Sequence, residues 1–496
     1  MIFFSFLNRT SLKFDNFSDF LLPSAVNEFR QMVKSKFFNS VFLICSVCFI
    51  FIAVGIFLIK DQGQAGPWGY LLFSGIMDVA LIIFIPMLLY QNMSAERSNG
   101  SFELMAITTI SPLKIVLGKW QSGIMQAIIF GSFILPGLIY CYFFDGIALS
   151  TIFVGIFFTL LISQFALLGS IFLCSLVSMK AGRVFFQLVS LIITVLLLWL
   201  LWTIKKETAF EDEWARHVFK FEFLKYFSLF LLFIFTVELF FIVVSAARLS
   251  SFSANKSTAP RIVYFIIVLE VICFIFYTHE FFYYYSWPLI IILSIHSFLT
   301  LFFLVENDDL SLVLIKKLNR KNNFMFSFIR RFFYPGRSSA LFLFIAQAIL
   351  FMATIIYSFN NFKGKYYGNL DIFSVLATLC CFVFYICVCY LAFSLLSKIM
   401  SNAHLFHFFL VGILIASLIF AFPFFVKGFL FRGNSLVYSS MNPFIYDNVY
   451  KTGLPYVVNG TITIIVGLIS LVVAIIKDNR KVLLVRNFSA GERGDG

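Results

Sequence analysis

Four ionisable side chains inside long apolar stretches are the residues of this sequence that could bind a proton or a cation. Asp78, Glu238 and Glu270 carry carboxyl groups, and His296 carries an imidazole. An ionisable side chain is costly inside a bilayer and is expected to face protein or water. We predict that the three carboxylates line a translocation route. The alternative is that such residues pin two helices together by hydrogen bonds.

The spacing of the remaining residues does not favour metal or nucleophile chemistry. His279-Glu280 has no second His at metal-binding spacing, and His404 and His407 share a helical face without a carboxylate beside them. The chain also has no GxSxG sequence. We therefore predict no catalytic residue, no metal site and no cofactor bound by this chain.

The amino-acid composition indicates a membrane protein. Of the 496 residues, 61% are hydrophobic and only 12% are charged, and a soluble chain of this size could not bury so much apolar surface. The apolar runs are about 20 residues long and do not alternate, which is typical of spanning helices. We predict an all-α polytopic membrane protein with about 12 transmembrane helices. The predicted spans are 38–59, 69–91, 120–142, 147–178, 184–203, 223–248, 262–277, 286–304, 339–358, 371–397, 405–427 and 457–476.

The basic residues predict the orientation. Most of the 37 Lys and Arg residues fall in the connections that share a side with the N-terminus, so both termini are predicted to be cytoplasmic. The longest predicted outer loops are 205–223 and 431–459. The bilayer is a predicted partner and nucleic acid is not, because the basic residues are scattered over short loops. We predict an integral protein of the bacterial inner (plasma) membrane.

A short amphipathic helix is predicted before the first span. In residues 23–38, PSAVNEFRQMVKSKFF, Pro23 suits a helix start, and apolar residues recur at helical spacing as Val26, Phe29, Val33 and Phe37. This pattern indicates an interfacial helix that leads directly into the first span. We assign it to a cytoplasmic N-terminal region, 1–37.

The connection between the second and third spans is the most organised polar stretch of the sequence. Residues 95–119 read AERSNGSFELMAITTISPLKIVLGK. Ser111 and Pro112 suit the N-cap and the first turn of a new helix. The centre of the segment is too apolar for a freely solvated loop and too short for another span. A half-apolar segment that faces the cytoplasm predicts a protein partner.

This segment resembles the signature region of ABC-2 type transporter permeases. The chain differs from the usual pattern at Thr109, where Pro is common, and at Met105-Ala106, where Leu-Leu is common. The stretch 23–38 is similar to the elbow helix of the same family. The matching residues are Glu96-Arg97, Gly100-Ser101, Glu103-Leu104, Thr108, Ser111-Pro112 and Val116-Leu117-Gly118-Lys119.

The resemblance implies a transport subunit, with efflux as the expected direction, that is driven by an ABC ATPase on another chain. ATP and Mg²⁺ would bind that partner, because Gly118-Lys119 is followed by Trp120 and lacks the upstream Gly of a phosphate-binding loop. A second permease subunit is a further expected partner. The implied coupling residues are Glu96, Arg97, Gly100, Glu103, Thr108, Ser111, Pro112, Gly118 and Lys119. The implied elbow residues are Pro23, Glu28, Phe29, Arg30 and Val33.

The resemblance covers roughly the first half of the chain. We predict a six-span permease unit at 38–250, with its coupling segment at 95–119, a second six-span region at 251–476, and a cytoplasmic tail at 477–496. Two other classes stay open at this point. One is a secondary transporter that uses an ion gradient through Asp78, Glu238 or Glu270, and the other is a membrane-embedded enzyme acting on lipid or glycan.

Overall fold

A computed structural model describes most of the N-terminal half of the chain and part of the C-terminal half. Within these residues the regular structure is helical and contains no strand, which confirms the predicted all-α class. The described residues are 23–58, 65–99, 111–144, 146–177, 179–210, 221–250, 256–277, 296, 299–301, 303–304, 333, 336–361, 372–399, 405–416 and 465–476.

Twelve helices can be delimited in the described part of the chain. The first seven are α1 (Pro23–Val33), α2 (Lys36–Leu58), α3 (Ala65–Ser98), α4 (Pro112–Tyr142), α5 (Leu149–Leu176), α6 (Lys180–Phe210) and α7 (Phe221–Leu249). The other five are α8 (Thr258–Tyr277), α9 (Arg337–Asn361), α10 (Ile372–Ile399), α11 (Leu405–Ala416) and α12 (Ile465–Ile476).

Seven of the described helices are long and apolar enough to cross a membrane. They are α2 to α6, Phe227–Leu249 of α7 and Arg337–Thr354 of α9. These helices fit an integral membrane protein. The predicted number of 12 spans is not confirmed. The predicted spans 262–277 and 371–397 form helices that are not among the seven, and parts of 286–304, 405–427 and 457–476 lie outside the described residues. Both chain termini, to which the predicted orientation refers, and the predicted loop 431–459 also lie outside them.

The chain divides into two compact units, Met1–Ser251 and Phe252–Gly496. The first unit contains α1 to α7, and six of its helices are long enough to span. Within it, α1 packs on α4, and α5 packs against α3, α6 and α7. The second unit contains α8 to α12, with α10 packed against both α9 and α11.

The elbow helix ends earlier than the predicted range 23–38. Helix α1 stops at Val33, and α2 begins at Lys36 after a turn. The Ser35 hydroxyl accepts a hydrogen bond of 3.2 Å from the backbone N–H of Phe38, so it caps the new helix. The chain therefore changes direction at residues 34 and 35 instead of running straight into the first span.

Helix α3 contains a π-helical segment, Val79–Phe84. Pro86 has no N–H for the carbonyl of Ile82 and its ring crowds that carbonyl, so the ordinary hydrogen-bond ladder cannot continue through this turn. The N–H of Ile85 instead reaches back to the carbonyl of Ala80, five residues earlier. The segment begins immediately after Asp78, one of the predicted route residues.

Phenylalanine rings fill the space between α2, α3 and α4. Phe49 packs on Phe73 with ring centroids 4.9 Å apart and on Phe133 at 5.4 Å. These rings close over Gly137 of α4, where an added Cβ would lie 2.6 Å from Phe49 and 2.8 Å from Phe73. The three helices approach this closely because residue 137 has no side chain.

We expect Gly137→Ala to destabilise the first unit, because the new methyl group must displace two packed rings. Overpacking of this kind costs about 1–3 kcal/mol. Gly131→Ala is the matched control on the same helix, since a Cβ there meets nothing within 4 Å. Thermal unfolding of the purified protein in detergent measures both variants. Equal melting temperatures for the two variants would contradict the packing assignment.

Candidate functional site

Lys119 lies at the centre of an ion cluster that joins three helices. Its Nζ donates to Glu96 Oε2 at 2.7 Å and to Glu28 Oε1 at 3.1 Å. The Lys119 side chain is 1% exposed, whereas those of Glu28 and Glu96 are 15% and 25% exposed. One ammonium group therefore ties α1 to the end of α3 and the beginning of α4. These three residues are called the Lys119 cluster below.

The Lys119 cluster holds two carboxylates against one cation. Burial raises the pKa of the Glu28 carboxyl above its ordinary value, and the neighbouring Lys119 ammonium opposes that rise. Glu28 Oε2 is buried and has no hydrogen-bond partner in the described part of the chain. The carboxyl groups therefore depend on Lys119 for compensation, and its loss would leave two acids close together without a cation.

Arg97 fastens the same end of α3 to a different helix. Its guanidinium donates to the carbonyls of Val177 at 2.8 Å, Cys174 at 3.1 Å and Ser175 at 3.1 Å. These carbonyls belong to the C-terminal end of α5, where backbone acceptors lack partners within the helix. A cation at this position also suits the negative end of the helix dipole. Arg97 therefore caps α5 from inside the protein.

The predicted coupling residues include internal, surface and undescribed positions. Glu96, Arg97 and Lys119 bind within the protein, although the sequence suggested contacts with a partner. Ser111 has an extended backbone at the N-cap position of α4, without a side-chain capping bond, and Pro112 follows as the first residue. Gly118 is buried. Gly100, Glu103 and Thr108 lie outside the described residues.

The elbow residues lie on several faces of α1. Pro23 begins the helix, Phe29 and Val33 are half-buried, and Arg30 is exposed. Among the described apolar residues of α1, the deeply buried ones are Ala25 and Met32, outside the predicted stripe. The predicted stripe is only partly covered, as expected for an apolar face that meets lipid.

A second charged network lies inside the first unit. Lys205 Nζ donates to both oxygens of Asp78 at 2.8 Å and to Thr159 Oγ1 at 2.7 Å. The Thr159 hydroxyl lies 2.8 Å from Asp78 Oδ1. These three residues, called the Asp78 network below, join α3, α5 and α6. Asp78 has a paired position between helices, as in the alternative of an interhelical pin.

The predicted outer loop 205–223 is wrong at its start. Helix α6 continues to Phe210, and Lys205 is 1% exposed. The sequence holds a signal that could have found it, because the buried residues of α6 recur at helical spacing and include the lysine. That face consists of Phe186, Ser190, Thr194, Leu201, Lys205 and Ala209.

The other predicted route residues have different surroundings. Glu238 on α7 is 7% exposed, and its Oε1 is buried without a hydrogen-bond partner in the described residues. Glu270 is half-buried on α8 in the second unit. His296, also in the second unit, contacts the Tyr264 hydroxyl through Nδ1 at 2.6 Å, and that hydroxyl lies 2.7 Å from Thr300.

No group of three or more His, Cys, Asp and Glu residues that could hold a metal ion occurs among the described positions. The chemistry of the first unit is instead that of paired charges and capped helix ends. Apolar spanning helices and buried polar contacts between them define a helical integral membrane protein. Comparisons with family models, with curated proteins and with solved structures find no match for the chain.

We expect Lys119→Met to lower the free energy of unfolding of the first unit, since it leaves Glu28 and Glu96 without their cation. Removing one partner of a buried ion pair costs about 3–5 kcal/mol, and the partial exposure of both carboxylates favours the lower value. The loss should be smaller in mildly acidic buffer, because protonation of the carboxylates relieves their repulsion.

Lys114→Met is the matched control for this measurement. Lys114 lies on the same helix and is exposed, so its removal should leave the melting temperature nearly unchanged. Thermal unfolding in detergent at two pH values measures both variants. Equal effects of the two substitutions, or a Lys119→Met loss that does not change with pH, would contradict the ionic role of the cluster.

Proposed function

We propose that this chain is the transmembrane subunit of an ABC transporter, which exports a substrate with ATP hydrolysed by a separate ATPase subunit. The observation that carries the proposal is the Lys119 cluster. It links the elbow helix to both sides of the segment 95–119, and that segment resembles the ATPase-contacting region of ABC-2 permeases.

A segment couples two processes only if a partner binds it differently in two states and the difference reaches the spans. The stretch 100–110 is anchored at both ends in a way that meets this mechanical requirement. Before it, Glu96 binds Lys119, which also binds Glu28 of the elbow helix, and Arg97 fastens α3 to α5. After it, α4 begins at Pro112 and carries Lys119. A force applied to this stretch would therefore act on four helices together.

The internal contacts revise the roles proposed for individual residues. Glu28, Glu96, Arg97 and Lys119 act as fasteners that transmit movement, since each binds within the chain. The contacts with the ATPase are assigned to the stretch 100–110. Under this proposal the partner holds ATP and Mg²⁺, and a second permease subunit remains an expected member of the complex.

The association test starts from the protein in its native membrane. Gentle detergent extraction should yield a complex with an ATPase that carries a phosphate-binding loop, and ATP hydrolysis should change when the two chains are separated. We expect Glu103→Lys to weaken the association at least tenfold, because it reverses a charge in the proposed contact. Surface binding measurements with the reconstituted chain provide this value.

Glu207→Lys is the control for the association test. Glu207 is exposed near the far end of α6, so the same reversal of charge should leave the association unchanged. Purification of the chain without any ATPase would contradict the proposal, and so would equal weakening by the two substitutions.

A gradient-driven transporter is the second candidate, and Glu238 is the observation in its favour. A buried carboxyl oxygen without a partner inside a spanning helix can bind a proton. In this case, liposomes that contain the chain alone would take up protons along a gradient without ATP, as reported by an enclosed pH-sensitive dye. Glu238→Gln should abolish that uptake. Proton uptake equal to that of empty liposomes would exclude this candidate.

A further inference from the structure

The Asp78 network is fully closed. The Lys205 ammonium has three N–H donors, and both oxygens of Asp78 and the oxygen of Thr159 accept them. Asp78 and Thr159 are 0% exposed. No donor of the cation is left for water, so the helices that carry these residues meet here without a hydrated gap.

A buried ion pair of this kind does not open gradually. Separating the charges in an apolar interior costs several kcal/mol for each ion unless water enters to solvate them. The closed arrangement and a hydrated, open arrangement are therefore two distinct states, with poorly solvated intermediates between them. This property is what a gate requires.

The Asp78 network is well separated from the Lys119 cluster along α3. Asp78 precedes Glu96 by 18 residues on α3, which corresponds to about 27 Å along a helix. Lys205 is five residues from the end of α6, whereas that helix begins near Arg97 and the end of α5. Helix α3 thus carries one paired charge near its C-terminal end and another near its middle.

The part of α3 between Asp78 and Glu96 contains an irregular turn that would permit movement. The π-helical segment Val79–Phe84 follows Asp78 directly, and Pro86 comes two residues after it. Such segments allow a helix to change register or bend at defined positions. A shift at the Glu96 end could therefore change the position of Asp78 relative to α5 and α6.

We propose that the Asp78 network locks a gate in the translocation route, about 27 Å along α3 from Glu96 of the Lys119 cluster. Asp78 and Lys205 are positioning residues that hold α3 against α5 and α6 until movement of α3 separates them. The inference rests on the proposed function, and it adds the place where the route closes. Opening would expose the polar groups of three helices to water and to substrate.

Tyr70 supports this assignment. Its hydroxyl is buried without a hydrogen-bond partner in the described residues and lies against Gly155, one turn before Thr159 on α5. An added Cβ at residue 155 would collide with it. An unpaired hydroxyl beside the lock costs free energy in the closed state and would gain a water partner in the open state.

Accessibility of one thiol tests the lock. Ser74 is 1% exposed and lies one turn before Asp78, so Ser74→Cys in a background without the native cysteines reports water entry near the network. A charged, membrane-impermeant thiol reagent is the probe. We expect Asp78→Asn and Lys205→Met, each alone, to raise the labelling rate at least tenfold, because the remaining charge draws in water.

The double variant Asp78→Asn/Lys205→Met separates charge pairing from loss of packing. With no charge left, labelling should return to within about threefold of the parent rate. Lys206→Met is the matched control, since Lys206 is the exposed neighbour on the same helix and should leave labelling unchanged. Thr159→Val, which removes the hydroxyl but keeps both charges, serves as a milder variant if a charge variant does not fold. The lock would be overturned if the single charge variants were labelled at the parent rate. If Thr159→Val replaces a charge variant, its labelling at the parent rate would have the same meaning.

The parent carrying Ser74→Cys, assembled with its ATPase, tests the place of the lock in the cycle. We expect ATP to raise labelling of this parent, and the single variants to be labelled quickly with or without ATP. An assembled, ATP-hydrolysing complex whose labelling ignores ATP would overturn the gate assignment while the proposed function stands. If no ATPase assembles, the proposed function fails. The labelling rates of the single and double variants then decide whether the network keeps water out.

Discussion

A charge that leaves water inside a helix bundle needs an opposite charge and a full set of hydrogen bonds, and this requirement organises the first unit. Lys119 satisfies it with two carboxylates, and Lys205 satisfies it with one carboxylate and a hydroxyl. Each lysine joins three helices through charged contacts. Phenylalanine rings can bury apolar area in many packing arrangements of the helices, whereas paired charges determine which residues meet.

Both networks include α3, so this helix connects the two sets of paired charges. Its C-terminal end is held by Glu96 and Arg97, and Asp78 is held near its middle. The π-helical turn beside Asp78 exists because Pro86 interrupts the regular ladder. A helix that is fixed at two points and irregular between them can transmit a displacement, and a transporter driven from one side of a membrane needs such an element.

Ion pairing also explains why charged residues of the segment 95–119 bind within the protein, although their residue types are typical of a surface. Glu96 and Lys119 resemble surface residues in sequence, yet the cation is buried and the acid is turned towards it. Arg97 meets the end of α5 because helix ends expose carbonyls that require donors. Residues that suggested contacts with another protein therefore bind within this chain, on either side of the stretch 100–110 that we propose as the contact.

The sequence determined the all-α class, most of the described spans and the start of α4, because apolar run length and the Ser-Pro start signal are local properties. It also singled out Glu28, Glu96 and Lys119 individually. It did not determine that Lys119 binds both acids or that Lys205 is buried, since these facts depend on residues far apart in the chain. The loop predicted from 205 onward failed because a lysine beside polar residues signals a surface, and only the packed helices supply the buried carboxylate that reverses this expectation.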